Sequence, residues 1–413
     1  MFIYNIGIFL YGLIISIVQR WNSKAKLWIE GRKDIFERMH DKIKLADGEN
    51  LIWIHVASLG EFEQGRPIIE TIKQDHPTSP ILLTFFSPSG YEIRKDYQGV
   101  DYIFYLPLDT PSNVKRFLDV ARPQKAIFVK YEYWLNMLFE LHRRSIDTYV
   151  VSANFRANSI FFKPWGALHR KALATFKTIF VQSESSKKLL RTIGVERVVV
   201  AGDTRFDRVV EIARTLTPIE KIEAFAQGEK IFVAGSAWEP DIEIIAPLIK
   251  EYKELKFLLV PHEVDSAHMH KITEILTAQG VDYSLYSNFD PTENSQVLIV
   301  DSIGILSKAY QYARCAYVGG GFGVGIHNTL EPAVYGIPIS FGDNYGKFKE
   351  AIDLIDRGIA RSVSTSQELS QWLSELLSNP AKVEYIAQQA EQYTAEQSGA
   401  TELILKEIMG GNE

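Results

Sequence analysis

Two stretches of the sequence hold functional groups whose types and spacing suit group transfer. The first is Ala57-Ser58-Leu59-Gly60-Glu61, which follows an apolar run ending in His55-Val56 and opens an amphipathic segment. Ser58 and Glu61 stand at capping-box spacing, the serine capping a helix and the glutamate three residues on reaching back. The same position, at the carboxyl end of a strand, suits a general base that takes a proton from an acceptor hydroxyl. Local sequence leaves both uses open, with Ser58 and Gly60 as the neighbouring candidate acceptor contacts. The second stretch runs from Gly319 to Pro332 and places five glycines before His327-Asn328-Thr329-Leu330-Glu331-Pro332. Glycine lets backbone approach a ligand closely, and a helix N-terminus behind it offers free N–H groups and a partial positive charge to a phosphate. Gly320, Gly321, Gly323, His327 and Asn328 are the candidate contacts, and Glu331, one turn into the helix, suits ribose hydroxyls. No Gly-Lys-Ser/Thr follows, so this is not a Walker loop, and its late place in the chain separates it from the dinucleotide fingerprint of a first strand. The competing reading is a glycine-rich turn with a surface glutamate.

Four further places carry weaker signals. Gly235-Ser236-Ala237-Trp238-Glu239 follows an apolar run, so Ser236 either caps a helix or contacts phosphate. Lys130-Tyr131-Glu132-Tyr133-Trp134 puts a second carboxylate at the same sheet edge as Glu61. Glu132 then either shares acid, base and orienting roles with Glu61 or forms a structural ion pair. Arg205, in Gly202-Asp203-Thr204-Arg205-Phe206-Asp207, is a cation suited either to a leaving phosphate or to a hinge salt bridge. The segment 155–176 mixes Arg156, Lys163, His169, Arg170 and Lys171 with Phe161, Phe162 and Trp165. That composition suits an acidic amphiphile at a membrane, with Arg156 and Lys163 as acceptor contacts, and equally a buried amphipathic helix.

Positioning these groups requires strands whose carboxyl ends meet. Short apolar β-branched runs alternate with longer amphipathic ones, the pattern of a parallel sheet covered by helices on both faces. Strands are predicted at 51–57, 80–86, 101–105, 125–129, 148–152, 178–181 and 198–201, then at 230–234, 256–260, 297–300, 316–318 and 337–340. Helical patterns at 63–74 and 134–143 lie between them, the mixed-charge segment 208–227 joins two α/β lobes, and 379–408 reads as helix packing back across them. A chain of 413 residues is long enough for two such domains. The expected division is 1–21 as a membrane anchor, 22–210 as a first Rossmann-like domain and 211–413 as a second.

Composition narrows the partners. With 46% hydrophobic and 23% charged residues the chain is an ordered globular protein, and its net charge of -6 argues against nucleic acid. The single cysteine, Cys315, forms no internal disulfide and lacks the spacing of a zinc site, so neither a structural metal nor a cofactor is expected. Residues 2–18 are apolar and uncharged, flanked by Trp21 and by Arg20, Lys24, Lys26, Arg32 and Lys33. A span needs about 20 apolar residues, so this segment either crosses or embeds; basic residues behind it predict a body on the cytoplasmic side, against anionic phospholipid. An unusually apolar first helix packed in a core is the other reading.

In this order the motifs resemble the Kdo transferase family, which adds 3-deoxy-D-manno-oct-2-ulosonic acid (Kdo) to the lipid A precursor of Gram-negative bacteria. The segments that carry the resemblance are the N-terminal apolar run, 53–61, 131–136, Val181-Gln182-Ser183-Glu184, 202–207 and 327–332. The resemblance implies a GT-B fold, with two Rossmann-like doubly wound domains facing a central cleft. It also implies a CMP-Kdo donor, lipid IVA as acceptor at the inner membrane, inversion at the anomeric carbon and no required metal. Glu61 matches the family's catalytic base, Asn328 and Glu331 the nucleotide-binding stretch, and Glu132 an important glutamate of the first domain. Three departures stand out. Pro261-His262-Glu263 replaces Pro-Arg-His, Arg205 replaces a lysine, which changes hydrogen-bond geometry while keeping charge, and Gly304-Ile305-Leu306 replaces Gly-Glu-Leu. The donor contacts at Pro261, His262 and Gly304 are therefore the ones this chain has altered. The rival readings are another GT-B enzyme using a UDP- or GDP-sugar, whether lipid-linked transferase or epimerase, and a non-catalytic sugar-nucleotide binding protein.

Overall fold

The computed structural model describes residues 1–410 apart from 47, 293 and 324, so Val324 of the glycine-rich stretch and residues 411–413 lie outside the described residues. The chain forms two compact units, Met1–Asp207 with Ser398–Glu413, and Arg208–Gln397.

The first unit is built on β1 (Ile52–Val56), β2 (Ile81–Phe85), β3 (Tyr102–Tyr105), β4 (Lys125–Val129), β5 (Asp147–Ala153), β6 (Thr178–Val181) and β7 (Val198–Val200). They pair in the order β3-β2-β1-β4-β5-β6-β7, all parallel. Successive side chains of a strand point to opposite faces, and the core obeys this. Trp53, Leu82, Ala126 and Phe128 join one cluster, whereas Ile54, Leu83, Ile127 and Val129 join the other. By the same alternation His55 and Thr84 lie on the Trp53 face, both fully buried, so each must find a hydrogen-bond partner there. The second face is closed partly by the helix Ala400–Met409, whose Ile404, Leu405 and Ile408 pack with Ile68, Ile69 and Ile72 of the helix Leu59–Asp75. The Asp207 carboxylate fastens this returning helix, accepting from the Gly399 and Thr401 amides at 2.6 and 2.7 Å and from the Thr401 hydroxyl at 2.6 Å.

The second unit carries β8 (Ile231–Ala237), β9 (Phe257–Pro261), β10 (Ser284–Leu285), β11 (Val297–Ile299), β12 (Ala313–Val318), β13 (Ile339–Phe341) and β14 (Ala360–Ser362), paired as β10-β11-β9-β8-β12-β13-β14. Two of these, β10 and β14, were not predicted. They are edge strands of two and three residues, too short and too polar for an apolar run to mark them. The segment 208–227, predicted as a joint, contributes Ile222, Phe225 and Ala226 to the core of this unit.

In both sheets the first strand is flanked by the second on one side and by a later strand on the other, β1 by β2 and β4, β8 by β9 and β12. Such reversals of strand order open a crevice at the carboxyl ends, where α/β folds bind ligands. Both motifs that opened the sequence reading follow strands at these points.

Candidate active site

In the first unit Glu61 sits in the first turn of the helix Leu59–Asp75, half-buried, with Ser58 as N-cap. The capping box does not form. Ser58 makes no side-chain cap bond, and its hydroxyl instead donates to the Glu61 carboxylate. The carboxylate is thereby oriented without being committed to the helix backbone. Gly60 is exposed, and a Cβ there would meet nothing nearer than the Ser58 hydroxyl at 3.9 Å.

The second carboxylate is held from two sides. Glu132 follows Lys130, which closes β4 with a positive φ of 64°, a conformation found at strained functional turns. Its Oε2 accepts from Trp134 Nε1 at 2.7 Å and contacts His55 Nε2 at 3.1 Å. Trp53 Nε1 donates to Thr84 Oγ1 at 2.8 Å, and His55 Nδ1 contacts both that hydroxyl at 2.9 Å and the Thr84 carbonyl at 3.1 Å, so the ring is held from both of its nitrogens. His55 orients the Glu132 carboxylate, and sequence reasoning missed it. A polar residue inside an apolar strand was the available signal.

Tyr131, next to Glu132 in the chain, lies within electrostatic reach of Glu61. Burial raises its phenol; Arg156 opposes the rise, while Glu61 and Asp203 reinforce it. Arg156 is exposed, as acceptor contact requires, whereas half-buried Lys163 lies between two 3-10 turns and its carbonyl accepts from Arg170 at 2.8 Å. The segment around them forms those turns and the short helix Ala167–Leu173 in place of a long amphipathic helix. Arg205 takes the salt-bridge alternative. Its Nε and Nη2 donate to Asp203 Oδ2 at 3.0 and 2.7 Å, and Gln64 and Gln182 donate to the same carboxylate. Burial works to raise Asp203, but the guanidinium beside it holds the carboxyl below its usual range.

The second unit assembles an aromatic and imidazole wall. His262, after Pro261 at the end of β9, stacks on His327 at 4.0 Å between ring centroids and 18° between planes. Trp238 Nε1 donates to His327 Nε2 at 3.0 Å and its ring lies 4.8 Å from His262. Burial and the neighbouring His262 push the His327 imidazole down to about 4, and burial lowers His262 as well, so both are neutral at pH 7. Where the resemblance led to an arginine, this chain presents a neutral stacking surface.

The glycine-rich stretch is more closed than its sequence suggests. Gly320 N donates to Asp241 Oδ2 at 2.9 Å, Gly323 N to Gly320 O at 3.1 Å, Gly319 N to Gly235 O at 2.9 Å and His327 N to Gly319 O at 3.1 Å. The amides of Gly320 and Gly323, two of the candidate contact residues, are therefore committed within the loop. Gly321 serves backbone packing: a Cβ there would clash with the Gly342 backbone, and its carbonyl accepts from Asn344. The helix behind the loop is one turn, Leu330–Ala333, with its first amide capped by Asn328 Oδ1 at 3.1 Å. Asn328 Nδ2 donates to Glu331 Oε1 at 3.1 Å, so these two side chains act as a unit. Ser236, the last but one residue of β8, has a positive φ of 52° and lies beside Trp238 and the Asp241 carboxylate that stitches loop to helix. Gly304 lies apart in an exposed turn after β11, with a φ of 90° that explains its glycine.

Three comparisons bear on what these two sites belong to. The family model described as 3-deoxy-D-manno-octulosonic-acid transferase (kdotransferase) matches residues 33–208. The 3-deoxy-D-manno-octulosonic acid transferase of Aquifex aeolicus is 30% identical over 353 residues, 84% of this chain and 91% of its own length. That of Haemophilus influenzae is 27% identical over 368 residues, covering 86% and 85%. Among solved structures, the UDP-GlcNAc 2-epimerase from Neisseria meningitidis bound to UDP-GlcNAc is similar at a TM-score of 0.63 and 15% identity, covering 88% of this chain and 100% of that one. A glycosyltransferase from Rickettsia africae gives 0.58 at 14%, covering 89% and 100%. At these identities the structural likeness speaks for the fold, the GT-B class of two doubly wound sheets. Sequence similarity over most of the chain goes further: the chain belongs to the 3-deoxy-D-manno-octulosonic acid transferase family of glycosyltransferases.

Proposed function

We propose that the chain transfers Kdo from CMP-Kdo to lipid IVA, the first unit taking the acceptor and supplying the base, the second taking the donor. In this reading Glu61 removes the proton from a glucosamine hydroxyl. The oxygen attacks the anomeric carbon of Kdo, a new C–O bond forms with inversion, and the bond to CMP breaks with the electron pair leaving on the phosphate. The observation that carries the role of Glu61 is its freedom from the helix cap: Ser58 turns its hydroxyl toward the carboxylate and not toward the backbone. Arg156 beside Tyr131 supplies positive charge for an anionic acceptor. The His262 and His327 stack offers a neutral planar surface to a pyrimidine base, and the joined Asn328 and Glu331 suit ribose hydroxyls. No metal is required in this scheme.

The same reading places the protein on the cytoplasmic face of the inner membrane, against phospholipid. The helix Phe2–Val18 turns Tyr4, Asn5, Ile8, Gly12, Ile15 and Ser16 toward the body, and exposes Phe2, Ile3, Ile6, Phe9, Leu10, Leu13, Ile14 and Ile17. Its outward face is thus the apolar one, which suits lying in the interface. No single helix among the described residues is long and apolar enough to cross a membrane; this helix and Ser23–Glu30 pass that test only as a pair bent by 118°.

The test is transfer of labelled Kdo to lipid IVA by the purified full chain in detergent, with CMP-Kdo generated in place. Glu61→Gln is expected to lower the rate by about 10² to 10⁴-fold while the unfolding midpoint stays put. Absence of transfer by the folded parent chain would sink the assignment, and an equally active Glu61→Gln would remove the base.

A further inference from the structure

The N-terminal helix does more than expose apolar residues, because its polar side is bonded into the neighbourhood of Glu132. The Tyr4 hydroxyl donates to Asp109 Oδ2 at 2.6 Å and accepts from the Leu135 amide at 3.3 Å, and Asn5 Oδ1 accepts from Asn136 Nδ2 at 2.8 Å. Asp109 is itself buried and accepts from the amides of Asn136 and Met137 at 3.0 and 2.9 Å. It therefore caps the helix Leu135–Arg143, whose own N-cap residue, Trp134, supplies no side-chain cap. A helix start without such an acceptor leaves buried amides unmatched, so Asp109 fixes where that helix begins, and with it the loop that carries Glu132.

A second route reaches the same carboxylate through rings. Tyr11 of the N-terminal helix packs on Phe86 with centroids 6.1 Å apart, and Phe86 packs on Trp134 at 4.6 Å. The Trp134 indole then donates to Glu132 Oε2 at 2.7 Å. The first route ends at the helix start next to the Glu132 loop and the second at Glu132 Oε2, and both depend on the N-terminal helix lying against the body.

From this geometry we infer that Tyr4, Asp109 and Trp134 are positioning residues for Glu132, so that the docked N-terminal helix is part of the acceptor-side site and not only a tether. The inference rests on the reading above that Glu132 serves the transfer reaction. Loss of one hydrogen bond that orients a charged group leaves binding of donor and acceptor intact but misaligns the carboxylate where charge develops, which lowers kcat and spares KM.

The test uses the full chain in detergent with Tyr4→Phe, which removes the hydroxyl and keeps the ring, and Trp134→Phe, which removes the indole N–H and keeps the contact with Phe86. Each is expected to lower kcat roughly 10- to 150-fold, the effect of one hydrogen bond to a charged group, with both KM values within twofold and an unchanged unfolding midpoint. The indole N–H resonance of Trp134, assigned by its loss in Trp134→Phe, supplies a readout independent of activity. It is expected to move in Tyr4→Phe, because the helix start that carries the indole loses its anchor. An unmoved indole resonance with parental kcat in Tyr4→Phe, in a chain where Glu132→Gln is inactive, overturns the inference and leaves a tether alone. An active Glu132→Gln would instead strike the reading of the site on which the inference rests.

Discussion

Half-buried His327 and buried Asp109 are titratable groups pushed in opposite senses, and each leaves its own mark on stability against pH. Burial and His262 lower the His327 imidazole to about 4, so between pH 6.5 and 4 the unfolded chain binds the proton that the folded chain refuses. Its contribution is complete above about pH 6.5 and is lost as pH falls to about 4. Burial raises Asp109 to about 6 against the hydrogen bonds from Tyr4 and the Asn136 amide. The folded chain then holds a proton that the unfolded chain gives up, and this contribution is complete below about pH 4 and lost as pH rises through 6. Melting temperatures from pH 4 to 7 should therefore rise less steeply with pH in His327→Gln than in the parent, and more steeply in Asp109→Asn; the reverse order would contradict both burial arguments. Single residues differed in how far the sequence exposed them. Glu61 was legible because a carboxylate one turn past a strand is a local pattern. Its freedom from capping was not, since that depends on the rotamer of Ser58. His55 and Asp241 act through partners 29 to 79 positions away, and no local pattern announces such pairings.

At the scale of elements, the glycines around β8 and β12 do their work by letting two backbones touch. A Cβ on Gly319 would run into the Ser236 carbonyl and stand 2.7 Å from both Ala237 Cα and Asp241 Oδ2, none of which is the loose end of a side chain. Gly319→Ala should destabilise the second unit by about 1 to 3 kcal/mol, the cost of overpacking, and weaken CMP binding as the Trp238 and His327 contact shifts. Gly60→Ala makes the contrast. Its Cβ points into open space in a helix, so stability should hold or improve by up to about 1 kcal/mol, and any loss of transfer reports acceptor contact. Calorimetry on the two variants separates a packing glycine from a clearance glycine; equal stability losses would refute the distinction. The sequence displayed the long buried strands because parallel sheets covered on both faces demand continuous apolar runs. It hid β10 and β14, where sheet-edge pairing demands almost nothing of the side chains. It also overstated the element after the glycine loop: the helix expected there, with Glu331 one turn into it, is a single turn, Leu330–Ala333, followed by Gly336 with a φ of 68°.

For the whole molecule, the discontinuity of the first unit matters most. Its sheet is complete by Val200, yet its core includes Ile404 and Ile408, which arrive only after the second unit has been traversed. Three buried aliphatic side chains, Ile404, Leu405 and Ile408, would each contribute about 1.5 to 3 kcal/mol by burial, together comparable to the 5 to 15 kcal/mol that ordinarily stabilises a domain. A chain ending at Ser398 should thus lose the first unit while keeping the second, whose sheet and helices are continuous in sequence. A graded version avoids outright unfolding. Ile404→Ala should cost about 2 to 5 kcal/mol, lowering the melting transition of the first unit by on the order of 10 °C, whereas Leu373→Ala, in the buried face of the helix Ser366–Ser378, should lower that of the second. Proteolysis during melting identifies which transition moves. If both transitions shift together in both variants, the two units unfold as one cooperative block, and the returning helix is one contact among many for the whole chain.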